Sequence, residues 1–90
     1  MKQFLYPAIF FKLEDEYRVI FPDLDISTDG KTFEDAYLYA QDLLRVYFIY
    51  VLKHDLDFNL PSTYEELKKS SNPSETIVMI DAIIGPKDLK

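Results

Sequence analysis

The chain has 90 residues, a formal net charge of −6 and no cysteine. That length suits a single domain, residues 1–90, with a limited core. The missing thiols exclude disulfides and thiolate zinc sites, and the negative charge disfavours nucleic acid, whose phosphates are met by Lys and Arg.

Residues 4–13, FLYPAIFFKL, read as a first strand that is apolar on both faces. Phe4, Tyr6, Ala8 and Phe10 lie on one face; Leu5, Ile9 and Phe11 lie on the other. Such a strand is covered on both sides, by different neighbours. Pro7 has no amide donor, which places it near the strand start, at an edge or at a bulge. A charged turn, Glu14-Asp15-Glu16, leads to a second strand over Tyr17–Phe21 and so to a hairpin. Pro22 ends that strand. Ile26-Ser27-Thr28 form a brief third strand, closed by Asp29-Gly30.

Thr32 opens a long helix, with Asp35 placed to reach back in a capping box. The helix runs to about Lys53 or His54, with Phe33, Ala36 or Tyr37, Ala40, Leu44, Tyr47 and Val51 on one stripe. Residues 46–52, VYFIYVL, are apolar all round, which calls for cover on a second side. A short helix follows in STYEELKKSS, capped by Ser62 or Thr63 with Glu65 or Glu66 close behind. Thr76–Ile84 is the most β-branched run and the last strand, ended by Gly85-Pro86.

The order β-β-β-α-β predicts an α+β fold: a four-stranded mixed sheet with one long helix on one face. The helix between strands three and four allows a crossover, with the last strand parallel to the first. The face opposite the helix then stays without an internal cover, and an exposed apolar face of that kind marks an interaction site.

No catalytic constellation stands out. Asp23, Asp25 and Asp29 in FPDLDISTDG offer oxygen ligands for a hard cation, but the glycine and glutamate of an EF-hand loop are missing. The same aspartates serve turn chemistry, because Asp bonds nearby backbone amides. A nuclease of ribonuclease H type needs carboxylates converging on two metals; FLYPAIFF supplies none, and Asp81 with Glu34 or Asp42 is too few. His54, the only histidine, falls at the expected helix end, where the dipole favours a cation. The two glycines cannot make a phosphate-cradling loop. The expectation is a protein without enzymatic activity, metal or cofactor. No stretch reaches the ~20 apolar residues of a membrane span, and the N-terminus has no signal-peptide pattern; a cytoplasmic protein is expected.

YPAIF at 6–10, YRVIFPDL at 17–24, STDGKTFEDAYLYAQDLL at 27–44 and PSTYEEL at 61–67 together resemble the HicB-type antitoxin domain over residues 4–84. The chain departs from it where Asp25-Ile26-Ser27 replace the frequent Pro-Gly-Cys. The resemblance implies a partial ribonuclease H-like fold without catalytic acids. It implies a protein that binds a HicA-type ribonuclease toxin and covers its RNA-binding active site, and an acidic binder suits a basic RNA enzyme. Many members continue into a DNA-binding domain; this chain stops at Lys90, after the last strand, so direct nucleic acid binding is not expected. On this reading Tyr6, Phe11, Tyr17, Phe21, Asp23 and Asp25 lie near the toxin contact. Phe48, Ile49 and Tyr50 serve self-association into a homodimer or higher homo-oligomer. Two other readings stay open. One is a stand-alone oligomeric module that binds proteins or small ligands without a toxin. The other is a nuclease remnant whose Mg²⁺-dependent cleavage would require Asp81.

Overall fold

A computed structural model describes residues 1–90. Strand β1 spans Lys2–Lys12, β2 Tyr17–Phe21 and β3 Ile26–Gly30. Helix α1 spans Phe33–Lys53 and α2 Tyr64–Ser70; β4 spans Glu75–Ile84, and a 3-10 turn at Pro86–Leu89 closes the chain. The four strands form one sheet in the order β3-β2-β1-β4. The predicted α+β class, element order and single long helix on one face are all found.

The sheet is antiparallel throughout, not mixed, because β4 runs against β1 from Lys2↔Ile84 to Phe11↔Glu75. The expected crossover fails for a traceable reason. The end of α1 lies beside the start of β1, where Phe48 stacks on Phe4. The segment 54–74, with α2, then carries the chain back along the sheet, so that Glu75 enters β4 opposite Phe11. Two passes between β3 and β4 leave the last strand reversed relative to a single helical crossover.

Local chemistry accounts for the element ends. The β1–β2 link closes with the Leu13 amide donating to the Glu16 carbonyl at 2.7 Å. The Pro22–Asp25 link folds back on Phe21, whose carbonyl accepts from the amides of Leu24 (3.2 Å) and Asp25 (3.0 Å). Asp25 has φ 56, a left-handed conformation that Asp tolerates better than most residues. Thr32 caps α1 by accepting from the Asp35 amide at 3.0 Å. Thr63 and Glu66 form the full reciprocal box on α2. At the far end of α1, the His54 amide donates to the Tyr50 carbonyl at 3.1 Å, and Asp55 turns left-handed at φ 51.

Pro7 sits within a central strand despite its missing amide, because β2 pairs with β1 over Ile9–Lys12 alone. At Pro7 the strand therefore has a neighbour only in β4, through Met79.

The core lies between the sheet and α1. Tyr6, Ala8 and Phe10 of β1, Val19 and Phe21 of β2, and Ile80, Ala82 and Ile84 of β4 meet Ala36, Ala40, Leu44, Phe48 and Val51 of α1. The α1 stripe thus runs through Phe48, with Tyr47 only half-buried. Phe48 is a correction to its expected role in self-association: it is completely buried. It stacks on Phe4 at 3.9 Å between ring centroids and meets Phe58 edge-on at 5.0 Å. Each fourth residue from Ala36 points at the sheet, and that series reaches Phe48.

Candidate protein-binding surface

Alternation along the strands sorts their side chains onto two faces. Phe4, Tyr6, Ala8 and Phe10 of β1 face α1, and so do Tyr17, Val19 and Phe21 of β2. The opposite face carries Leu5, Pro7, Ile9 and Phe11 from β1, Arg18 and Ile20 from β2, and Ile77, Met79, Asp81 and Ile83 from β4. The register sets Leu5 across from Asp81, Ile9 between Ile20 and Ile77, and Phe11 between Arg18 and Glu75.

This second face has partial internal cover. Helix α2 packs against β4, and Ile77 is buried although it lies outside the main core. The remainder is open. Leu5 is 50% and Ile83 48% exposed, while Ile9, Phe11, Ile20 and Met79 are only half-buried. Carboxylates frame the apolar centre: Asp81 beside Leu5, Glu75 beside Phe11, and Asp29 across from Arg18. Arg18 is the one basic side chain among the paired residues of this face, and Asp29 holds it at 3.5 Å. Both partners are substantially exposed, so this pair adds little stability.

Two residues expected at a partner contact are interior. Tyr6 and Phe21 are buried against α1 and present no surface. The physical reason is that both faces of β1 are apolar, so composition does not say which face the helix takes. The Tyr6 hydroxyl donates to the Asn59 carbonyl at 2.6 Å. Burial raises its pKa above the ordinary tyrosine value, helped by the negative charge of Asp23 and by Tyr47. Tyr17 is half-buried on the helix side, edge-on to Phe33 at 5.8 Å between centroids. Phe11 faces the open side. Asp25 is exposed at the β2–β3 turn.

Asp23 ties two distant segments together. Its carboxylate accepts from the Ser62 amide at 2.9 Å and from the Ser62 hydroxyl at 2.5 Å. Its carbonyl accepts from the Asn59 side chain at 2.9 Å. These bonds pin the stretch between the two helices, with Phe58 against the core, beside the β2–β3 turn. Hydrogen bonds to a charged acceptor are stronger than neutral ones. We expect Asp23→Ala to lower stability by about 2 kcal/mol in urea unfolding; an unchanged midpoint would show that the tie carries no weight.

No three of the His, Asp and Glu side chains converge as a metal-binding group. Asp81 accepts from the Gln41 amide at 3.0 Å. That bond lies at the shallow groove between α1 and β4, which is lined by Leu38, Asp42 and Arg45 among others. Arg45 in turn pairs with Asp88 of the closing turn. No helix is long and apolar enough to cross a membrane.

Sequence reasoning placed Leu5, Ile9 and Phe11 together on one face. It missed Ile20, Met79 and Ile83, whose membership depends on strand register.

No protein-family model and no curated protein matches this sequence. Solved structures do match in fold. One, described as "Toxin-Antitoxin complex from Streptococcus pneumoniae", contains a chain that aligns with TM-score 0.75 and 18% identity over 96% of this chain and 76% of that one. Another, "HicA3 and HicB3 toxin-antitoxin complex", aligns with TM-score 0.58 and 21% identity over 91% of this chain and 99% of that one. At these identities the likeness is one of fold: the sheet and helix described above are an architecture shared with chains found in toxin–antitoxin complexes.

Proposed function

We propose that this chain is a HicB-like antitoxin, which binds a HicA-type ribonuclease toxin in the cytoplasm and covers its RNA-binding active site. It does so as a binding protein, without chemistry of its own. The observation that carries the reading is the open sheet face. An apolar centre at Leu5, Ile9, Phe11 and Ile20 is flanked by Asp29, Glu75 and Asp81, with Ile83 beyond Asp81 at the end of β4. A basic RNA-binding protein complements that arrangement: its cations meet the carboxylate frame, and an apolar anchor fills the centre. The fold shared with chains of toxin–antitoxin complexes supports the same reading. Phe11 lies on the proposed contact face, and Asp25, exposed at the β2–β3 turn, is proposed as a further contact. Asp23 orders the neighbouring turn instead, and Tyr17 belongs to the helix side.

The test is an RNA cleavage assay with a HicA-type toxin encoded beside this chain. Wild-type protein suppresses cleavage and co-elutes with the toxin. Leu5→Glu, at a half-exposed position, leaves the fold intact and weakens binding about 30-fold, the loss of a typical hot spot of about 2 kcal/mol. Unimpeded cleavage beside wild-type protein, or full suppression by Leu5→Glu, contradicts the proposal.

A further inference from the structure

Beside its buried stripe α1 carries a second, largely exposed apolar seam that the open sheet face does not use and that touches the core only through Leu43. Tyr39, Leu43, Val46 and Tyr50 follow one another at intervals of four, three and four. Tyr39, Val46 and Tyr50 are 54%, 53% and 58% exposed, and Leu43 is half-buried. Alternating steps of three and four average about 3.5 residues, the repeat at which one helix packs along another. Three of these four side chains are turned to solvent, whereas the fully buried residues of α1 are Ala36, Ala40, Leu44, Phe48 and Val51, none of them in the seam; Leu43 alone of the four also leans on the core. The seam therefore has the spacing of a helix-packing surface and lacks the helix.

Charge chooses the occupant and its direction. The first turn of α1 is acidic, with Glu34 and Asp35, and its last turn is basic, with Lys53, followed by His54. Asp35 and Lys53 stand about five full turns apart at 3.6 residues per turn, so they flank the seam on the same side. When a second copy of α1 lies antiparallel, Tyr39 meets Tyr50, Leu43 meets Val46, and Asp35 of each chain reaches Lys53 of the other. The opposed helix dipoles also favour this direction. A parallel pair would set Asp35 against Asp35 and Lys53 against Lys53.

We propose that two copies of this chain associate through the seam Tyr39-Leu43-Val46-Tyr50 as an antiparallel α1–α1 pair, with Asp35–Lys53 contacts at both ends. The arrangement is an isologous twofold dimer. It places both open sheet faces away from the contact, and it stands independently of the toxin-binding reading. Of the residues first expected to mediate self-association, Tyr50 is in the seam, Ile49 is beside it, and Phe48 is inside the fold. Four seam positions make a small interface, so the dimer is concentration-dependent.

The chain alone, without toxin, is the sample. Light scattering after gel filtration should show the mass rising with concentration from 10.6 kDa toward a dimer of about 21 kDa. Val46→Glu should remain a monomer at every concentration while keeping the wild-type circular dichroism spectrum and melting temperature. Because the chain has no cysteine, introduced thiols report direction. A mixture of Tyr39→Cys and Tyr50→Cys chains should form a mixed disulfide dimer under mild oxidation, while neither variant cross-links alone. A wild-type mass that stays monomeric to several hundred micromolar overturns the proposal. So does a dimer that survives Val46→Glu, or cross-linking of Tyr39→Cys with itself.

Discussion

Replacing Phe48 with alanine is expected to cost about 4 kcal/mol of folding stability, the typical loss for a fully buried phenylalanine. Several contacts vanish together. Phe48 stacks almost flat on Phe4, with 3° between the planes, and meets Tyr6, Tyr47 and Phe58 at other angles. Aromatic pairs add about 0.5–1.5 kcal/mol beyond the area they bury. Phe58 comes from the loop that Asp23 also pins, so the cavity would loosen that loop as well as α1. A domain of this size has a total stability of order 5–15 kcal/mol, and the variant should therefore unfold at a far lower urea concentration. Had Phe48 been a surface residue for self-association, the same substitution would change dimerisation and leave the urea midpoint nearly untouched. The two outcomes separate its observed position from its expected one.

Gly30→Ala is expected to cost about 3 kcal/mol or more, by overpacking. A β-carbon at Gly30 would stand 2.5 Å from the Ala36 amide nitrogen, 2.8 Å from its α-carbon and 2.9 Å from the Asp35 carbonyl carbon. All three are backbone atoms in the capped first turn of α1, so no side chain can swing aside. The end of β3 and the start of α1 would have to part, loosening the Thr32 cap. Gly85 supplies the control: a β-carbon there meets only the Asp88 carboxylate, at 3.8 Å. Gly85→Ala should leave the melting temperature almost unchanged. Equal melting temperatures for the two variants would show that the close approach at Gly30 is not obligatory.

Much of this architecture is legible in the residues. The strand limits near Tyr17 and Phe21, the Thr32 cap and the end of α1 at Lys53 follow from local rules that act over a few residues. FPDLDISTDG resolves into turn chemistry for the same reason: Asp25 takes a left-handed conformation and Phe21 accepts two amides. The partner of Asp23 was not legible, since Ser62 is far away in the chain and nothing local announces it. The direction of β4 was hidden for a related reason. A polar stretch between two helices does not reveal that it spans the sheet a second time.

Within VYFIYVL the difficulty is different. Every residue is apolar, so periodicity alone does not choose between Tyr47 and Phe48 as the inward one. The choice is made by Phe4 and Phe58, which bracket Phe48. The two faces of β1 pose the same problem. The sequence separates Tyr6 from Leu5 but cannot say which meets the helix, and that decides which belongs to a candidate binding surface.

The proposed toxin contact is the sheet face away from α1. Methyl resonances test it most directly, because Leu5, Ile9, Ile20 and Ile83 each place methyl groups on that face. Titration with a HicA-type toxin should shift or broaden these four while leaving Val46, on the outer side of α1, as it is in the free chain. Perturbation confined to Val46 and its neighbours, with the four sheet methyls unmoved in a formed complex, would contradict the account.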